Sequence, residues 1–256
     1  HIKGTKDPDK ILRSDIEVVF LALPPNLLAN YTKKIIQAKK HVFCEKPLSS
    51  NPKEILKLYK LAKLNKVVLF VNYIYLFSMS VIYIKKNMGL IGKPYKSYFF
   101  LEQYGKFYKD QNSFEILGCH ALSVYFYFFN NYRTGDLEFN ILSNKDPKRQ
   151  IIEVNNKTHY SKFEINISCS NRSRFFEIIG DKGVFKFSPL EYNTVEFYEK
   201  KQGVSIFKES LHFDEKNNLK NSINNFVENL KVMSIELKEI VIKTSFILNK
   251  INDYSR

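Results

Sequence analysis

Residues 18–26 read Val-Val-Phe-Leu-Ala-Leu-Pro-Pro-Asn, and residues 41–48 read His-Val-Phe-Cys-Glu-Lys-Pro-Leu. An apolar run that stops at two prolines predicts a buried strand ending there, because proline lacks the amide donor that a β-ladder needs. Between the two segments, residues 27–39 carry apolar side chains at helical spacing. We therefore predict a strand, a helix and a second strand. Both following loops would lie at the carboxyl edge of a parallel sheet, where α/β proteins bind ligands.

The same alternation continues to residue 72. Asn51-Pro52-Lys53-Glu54 is typical of a helix start, with a capping residue followed by proline at the first helical position. A helix to about residue 64 and a fully apolar strand at 67–71 complete a βαβαβ unit. Buried strands that alternate with helices indicate a parallel sheet with right-handed crossovers. Residues 1–72 are thus predicted to form part of a Rossmann domain.

The pattern changes after residue 72. We predict helices over 73–88, 115–129 and most of 219–252, a turn at 89–94 and a hairpin turn at 180–183. Segments with period-two alternation predict strands at 95–104, 138–142, 151–154, 163–169, 174–179, 184–187 and 195–198. Strands without intervening helices indicate a second, α+β domain over 73–256 with a large, mostly antiparallel sheet. The C-terminal helices are expected to pack back on the first domain.

Composition narrows the class of protein. The chain has 256 residues, a net charge of +14 and three cysteines without a CxxC spacing. The scattered cysteines argue against a disulfide framework or a zinc site and favour a cytoplasmic location. No apolar run is long enough to span a membrane. Lysines interleave with acids along the whole chain, which indicates a biased composition, so we expect neither a nucleic-acid nor a membrane partner.

With these segments placed, the chain resembles the Gfo/Idh/MocA family of oxidoreductases, named after glucose-fructose oxidoreductase and inositol dehydrogenase. The resemblance is carried by residues 15–26, the Glu45-Lys46-Pro47 motif, the turn at 89–94, Gly118-Cys119-His120 and the segment 177–183. Glu-Lys-Pro alone is a weak motif. Its position about twenty residues after the Pro-Pro-Asn strand end, with the other segments following in order, makes the resemblance specific.

The resemblance implies an enzyme that uses NAD or NADP to transfer hydride to or from a carbon bearing a hydroxyl or carbonyl, on a sugar, nucleotide sugar or cyclitol. Lys46 and His120 would be catalytic, with Lys46 near the nicotinamide and His120 exchanging the substrate hydroxyl proton. An imidazole suits proton exchange near neutral pH. The residues implied to line the cofactor are Leu23, Pro24, Asn26, Glu45, Lys46 and Pro47. The family's open sheet also implies a homo-oligomer, and no metal is implied.

Two of the departures from the family pattern bear directly on the cofactor and on the catalytic residues. It contains no G-x-G-x-x-G loop, which would hold a pyrophosphate at a helix N-terminus. We therefore expect an N-terminal segment to be missing, and we expect residues 1–256 alone to bind dinucleotide weakly. The family's Asp four residues before the His is Ile116 here, and Glu115 stands one residue earlier. In an α-helix, Glu115 would be rotated by about 100° from that position.

Other interpretations remain open at this point. Lys46 is one of 40 basic residues and could be a surface lysine, while His120 could be a packed core residue. The chain could be a degenerate homologue without catalytic activity that serves assembly or binding. A third hypothesis, nucleic-acid binding driven by the +14 charge, has no recognised motif to support it.

Overall fold

The structure is a computed structural model, and it describes residues 7–105, 111–189, 194–214, 217–230 and 234–254. The chain divides into two compact units. The first comprises His1–Asn72 with Ile223–Asn249, and the second comprises Tyr73–Ser222 with Lys250–Arg256.

The secondary-structure elements have the following bounds. The helices are α1 (Pro8–Arg13), α2 (Pro25–Gln37), α3 (Pro52–Leu64), α4 (Met79–Asn87), α5 (Cys119–Phe128), α6 (Asn218–Glu228) and α7 (Ile235–Tyr254). The strands are β1 (Val18–Leu21), β2 (His41–Cys44), β3 (Leu69–Val71), β4 (Pro94–Tyr104), β5 (Glu138–Asp146), β6 (Arg149–Asn156), β7 (His159–Asn166), β8 (Ser168–Gly180), β9 (Gly183–Phe187), β10 (Thr194–Lys201) and β11 (Val204–His212). Short 3-10 turns cover Ile74–Phe77, Met88–Ile91 and Thr134–Asp136, and one π-helical turn covers Phe114–Gly118.

The first unit contains a parallel sheet in the order β1-β2-β3. The predicted βαβαβ arrangement is confirmed. As the double proline predicts, β1 ends at Leu21 and α2 begins at Pro25. The predicted start of α3 is also confirmed, because the Asn51 side chain accepts from the backbone N–H groups of Lys53 and Glu54.

Phenylalanine rings build the core on one face of this sheet. Phe43 of β2 and Phe70 of β3 are stacked, with ring centroids 5.1 Å apart. Phe226 of α6 lies 5.5 Å from each of them. Residues from near the C-terminus thus contribute to the core of the first unit.

The second unit contains an eight-stranded sheet in the order β11-β10-β9-β8-β4-β7-β6-β5. Within the described part of this sheet only the β4–β7 pair is parallel, which confirms a mostly antiparallel sheet. The prediction of one strand over 163–169 is wrong. Asn166 ends β7, and its Oδ1 accepts from the Ser168 N–H at 3.0 Å, so the chain turns there and β8 begins at Ser168.

Two further differences concern element boundaries. The predicted helix 73–88 is a 3-10 turn followed by α4, because Ser78 between them has extended backbone (φ −73°, ψ 135°). The strand β11 was not predicted. Almost every residue of β11 is exposed, so it lacks the buried, apolar alternate positions by which a strand is recognised in a sequence.

The turn at 89–94 and the hairpin at 180–183 form one junction. The Lys93 N–H donates to Asp181 Oδ1 at 2.7 Å, and the Lys182 N–H donates to the Ile91 carbonyl at 2.9 Å. A Cβ atom on Gly180 would lie only 2.0 Å from that same carbonyl oxygen. Glycine is therefore required for the two backbones to approach this closely.

Candidate active site

The carboxyl edge of the parallel sheet collects the first group of candidate residues. In the sheet register Leu21 pairs with Cys44, and Cys44 pairs with Val71. The three segments that follow β1, β2 and β3 therefore leave the sheet at the same edge. This places residues 22–26, residues 45–47 and Asn72 side by side, as the strand order predicts for the first two segments.

The loop after β1 is short and open. Leu23 is half-buried, whereas Pro24 and Asn26 are exposed. Pro24 is the N-cap of α2 and supplies no side-chain cap to the helix. The loop thus offers an apolar surface and one amide side chain beside a helix N-terminus.

The loop after β2 carries the Glu-Lys-Pro motif. The Glu45 N–H donates to the Leu21 carbonyl at 3.0 Å, which ties this loop to the end of β1. Glu45 and Lys46 are half-buried and Pro47 is buried. The peptide bond between Lys46 and Pro47 is cis. Lys46 is therefore a half-buried residue of the loop at the sheet edge and does not lie on an exposed helix face.

Asn72 is a site residue that the sequence did not reveal. It is 2% exposed, its backbone N–H donates to the Cys44 carbonyl at 2.8 Å, and its Nδ2 donates to Glu45 Oε1 at 2.9 Å. A hydrogen bond to a charged acceptor is stronger than one between neutral groups. Asn72 thus fixes the carboxylate next to Lys46. The only signal in the sequence is a polar residue directly after an apolar strand.

The structure places His120 in the second unit, at the second position of α5, where it is 8% exposed. The Tyr75 ring stacks against its imidazole, with centroids 4.4 Å apart and planes inclined by 15°. His120 is therefore a buried residue and not a surface one. Tyr75 was not a candidate in the sequence.

Glu115 lies in the π-helical turn that precedes α5. The Cys119 N–H donates to the Phe114 carbonyl, five residues back, so residues five apart lie one above the other in this turn. The expected rotation of Glu115 by about 100° assumed a regular α-helix, whereas this segment contains a π-helical turn. Glu115 is buried, whereas Ile116 is half-buried.

The Glu115 carboxylate has partners of its own. Oε1 accepts from Asn252 Nδ2 at 2.9 Å, and Oε2 accepts from the Asn112 N–H at 3.2 Å. The two asparagine side chains are also bonded to each other at 2.8 Å. The carboxylate is thus held in a polar network one helical turn before His120. Gly118 completes the turn, since a Cβ there would lie 2.5 Å from the Phe114 ring.

Two cysteines beside the motifs have a structural role, as their burial shows. Cys44 and Cys119 are fully buried. Burial raises the pKa of the Cys44 thiol to about 12, so this thiol is neutral at physiological pH and a poor nucleophile.

Within the described ranges there is no cluster of three His, Cys, Asp or Glu side chains that could hold a metal ion. None of the described helices is long and apolar enough to cross a lipid bilayer.

The first 73 residues match the model of an oxidoreductase family, Gfo/Idh/MocA, described as its NAD-binding Rossmann fold. Residues 1–73 are therefore similar to the NAD-binding part of that family. The matched segment contains the strand end at Pro24 and the Glu45-Lys46-Pro47 motif, which the sequence had already singled out. The fold expected from the resemblance, a parallel α/β sheet followed by a large, mostly antiparallel one, is the fold described above.

Relatives of known name match part of the chain. A dTDP-3,4-didehydro-2,6-dideoxy-alpha-D-glucose 3-reductase of Saccharopolyspora spinosa is 38% identical over 64 residues, which is 25% of this chain and 19% of that protein. A myo-inositol 2-dehydrogenase of Thermotoga maritima is 31% identical over 96 residues, covering 36% of this chain and 29% of that protein. The matched segments thus span less than a third of these relatives.

Solved structures resemble the chain over nearly its whole length. A 3-ketoreductase from Actinomadura kijaniata in complex with NADP and TDP-benzene superposes with a TM-score of 0.80 at 17% identity, covering 98% of this chain and 82% of that one. A levoglucosan dehydrogenase in complex with NADH and levoglucosan gives 0.81 at 16% identity, covering 98% and 81%. At such low identity these likenesses show the fold alone.

Proposed function

We propose that this chain acts in an NAD(P)-dependent oxidoreductase that transfers hydride to or from the hydroxyl or carbonyl carbon of a sugar, nucleotide sugar or cyclitol. The observation that carries the proposal is the arrangement at the carboxyl edge of the parallel sheet. There Lys46 follows a Glu45 carboxylate that Asn72 holds at 2.9 Å. A cation beside an oriented carboxylate, at the edge where such sheets bind ligands, is suited to a cofactor and a polar substrate.

The residues at this edge fit one end of a dinucleotide. Leu23 and Pro24 offer apolar surface, Glu45 offers a carboxylate that can accept from hydroxyl groups, and Asn26 offers an exposed amide. We propose that these residues, with Lys46 and Pro47, line the cofactor. A pyrophosphate cradle of the G-x-G-x-x-G type is not found in residues 1–256, so the fit concerns the nicotinamide and ribose end.

NAD or NADP, when bound, supplies the hydride chemistry of such a reaction. In the proposed mechanism the Lys46 ammonium polarises the reacting oxygen with a compact positive charge and several donors. The His120 imidazole takes up or returns the proton of the substrate hydroxyl as general base or acid. Its burial at 8% exposed keeps competing water away from the exchanged proton.

The test uses the native polypeptide with its natural termini. Oxidation of a panel of sugars, nucleotide sugars and cyclitols is followed with NAD and NADP, together with the reverse reductions. Lys46→Met and His120→Gln are each expected to lower kcat by about 100-fold or more, the usual contribution of a positioned acid or base. Lys57→Met is the matched control, because Lys57 is exposed on α3, and it should leave kcat unchanged.

The alternative hypothesis predicts different results. A degenerate homologue would turn over none of these substrates, in either direction, with either cofactor. Turnover that is equally insensitive to Lys46→Met and Lys57→Met would contradict the role of Lys46. Turnover that survives His120→Gln would contradict the role of His120 alone.

We also propose that the chain forms a homo-oligomer through the outer face of the eight-stranded sheet. Phe100 of β4 pairs in register with Phe175 of β8, so both rings lie on one face, and Phe175 is 40% exposed. Phe175→Lys is expected to shift the native mass measured by light scattering towards the monomer. Leu64→Lys, at a more exposed leucine of α3 (80%), is the control and should leave the mass unchanged. A monomeric parent protein would contradict the proposal.

A further inference from the structure

Tyr75 covers one face of the His120 imidazole. The rings are stacked, with centroids 4.4 Å apart and planes inclined by 15°. Tyr75 is 2% exposed and His120 is 8% exposed, so solvent occupies little of the space around the pair. A close-packed stack restricts the orientation of the imidazole, because rotating it would drive its atoms into the phenol ring.

Arg174 anchors Tyr75 from β8. Its Nε–H donates to Tyr75 Oη at 2.8 Å. Its Nη1 donates to the backbone carbonyls of Glu102 and Ser173, and its Nη2 donates to Gln103 Oε1 at 2.5 Å. Because a guanidinium is planar and directs its donors rigidly, these bonds tie the tyrosine hydroxyl to the paired strands β4 and β8.

Packing alone does not account for this arrangement. Arg174 is 4% exposed, and over the described ranges none of the salt bridges involves its guanidinium. Burying a cation without a carboxylate partner is unfavourable. A phenylalanine at position 75 would fill the same space without requiring a buried hydrogen-bonding partner. The hydroxyl and the guanidinium are better explained by a requirement to hold the aromatic ring in one place.

Burial keeps the Tyr75 hydroxyl neutral, and in this state it accepts the hydrogen bond from Arg174. It raises the pKa of Tyr75 and outweighs the opposing influence of Arg174. The phenol therefore stays neutral and accepts from the Arg174 N–H while it retains its own proton.

We propose that Tyr75, anchored by Arg174, is a positioning residue that sets the plane of the His120 imidazole. The inference rests on the proposed role of His120 in proton exchange and adds to it a contact that lies outside the sequence motifs. Tyr75 and Arg174 are separated by 99 positions in the chain. The arrangement therefore depends on the tertiary fold.

The direct test is an NMR measurement on the full chain, with ¹³C-labelled histidine and the His120 signal assigned from a His120→Gln variant. In the parent protein the His120 ring protons should be shifted upfield by the Tyr75 ring current and should show cross-peaks to the Tyr75 ring. Tyr75→Leu should abolish the upfield shift, and Tyr75→Phe should retain it. Absence of cross-peaks in the parent, or an unchanged His120 signal in Tyr75→Leu, would overturn the inference.

Kinetics supply the second readout. Tyr75→Leu should lower kcat by about 100-fold with little change in KM, since a misplacement of about 1 Å can have that effect. Tyr75→Phe preserves the stack and folds as a close isostere, so it should lose less. Tyr125→Leu is the control, because Tyr125 is fully buried on the same helix as His120, while its ring contacts are with Phe99, Phe163 and other residues.

The outcomes separate the two proposals. If His120→Gln keeps full activity, the proposed role of His120 fails, whatever Tyr75 does. If His120→Gln is inactive and Tyr75→Leu is as active as Tyr125→Leu, the positioning role of Tyr75 fails while the proposed function stands. A fall in kcat confined to Tyr75→Leu, together with the loss of the His120 ring-current shift, supports the inference.

Discussion

Asn72→Asp is the sharpest single test of the sheet-edge arrangement. The substitution keeps the size of the side chain but replaces the Nδ2 donor with a second carboxylate oxygen, 2.9 Å from Glu45 Oε1 in the present geometry. At pH 7 it removes a hydrogen bond to a charged acceptor and creates a pair of like charges. Both effects destabilise the folded state, and neither depends on any bound ligand.

The magnitude follows from the contact. A hydrogen bond to a charged group contributes about 1.5 to 3 kcal/mol. Two carboxylates that relax to about 4 Å repel by about 4 kcal/mol at an effective dielectric of 20, falling to about 1 kcal/mol in bulk water. Because Glu45 is half-buried, the repulsion energy should lie between these two limits. Rotation of the two side chains away from each other would relieve part of the total destabilisation. We expect a loss of about 3 kcal/mol, or about 6 to 12 °C in Tm for a chain of this size.

The effect should depend on pH with a definite sign. Like charge raises the folded-state pKa of the carboxylate pair above the unfolded values of about 4. The free energy of unfolding of the variant is then not reduced by charge repulsion below pH 4, where both carboxyl groups are protonated, and it falls as the pH rises through the raised pKa of the folded state. Thermal unfolding followed by circular dichroism at pH 3.5 and pH 7 measures the difference.

The matched control is Asn51→Asp in the same unit. Asn51 caps α3 through its Oδ1, and aspartate caps a helix equally well. This variant should change Tm by no more than a degree or two at pH 7. Equal Tm shifts in the two variants, or an Asn72→Asp penalty that is as large at pH 3.5 as at pH 7, would refute the reasoning.

Three further predictions concern stability. Gly180→Ala should lower the free energy of unfolding by about 3 kcal/mol or more, because its Cβ would lie 2.0 Å from the Ile91 carbonyl oxygen; Gly135→Ala, with open space at its Cβ, should change little. Burial lowers the pKa of His159 to about 4. The folded state should therefore lose about 3 kcal/mol of the stability that it has above pH 6.5 as the pH falls from 6.5 through 4. In urea titrations at several pH values, His159→Phe should remove this part of the pH dependence of the free energy of unfolding. Phe226→Ala should cost about 3 to 5 kcal/mol in thermal unfolding, since its ring lies 5.5 Å from Phe43 in the core of the first unit.

The edge of the first sheet could be predicted from the sequence because it depends only on where each strand ends and on parallel pairing of the strands. Prolines follow the end of β1, a short apolar run at 42–44 lies in β2, and parallel pairing brings the ends of both strands to one edge. The Asn72 contact could not be predicted in this way. An asparagine after a strand is common, and only the observed distance to Glu45 gives it a function.

The region around His120 was less accessible to sequence reasoning for two physical reasons. Helical periodicity assumes a constant turn, whereas the π-helical turn at Phe114–Gly118 changes the phase by one residue. The spacing between Glu115 and His120 therefore includes a π-helical turn that an interpretation as a regular α-helix leaves out. Tyr75 stacks on the histidine, and Arg174, which bonds to Tyr75, lies 99 positions further along the chain. No periodicity or motif in the sequence predicts these tertiary contacts.

Both candidate groups are built in the same way. Each takes a reactive side chain from a recognisable motif, Lys46 beside Glu45 in one and His120 in the other. Each then fixes its geometry through a buried residue from a distant segment, Asn72 at 2% exposed and Tyr75 at 2% exposed. Loss of the Asn72–Glu45 hydrogen bond or of the Tyr75–His120 ring stack should lower stability. Each contact also holds Glu45 or His120 in one orientation before a ligand binds. Substitutions at Asn72 and Tyr75 should therefore affect stability and activity together, whereas those at Lys46, which is half-buried, should affect activity with little loss of stability. Measuring both Tm and kcat on variants at these three positions distinguishes a preorganised site from a motif that is present without a catalytic role.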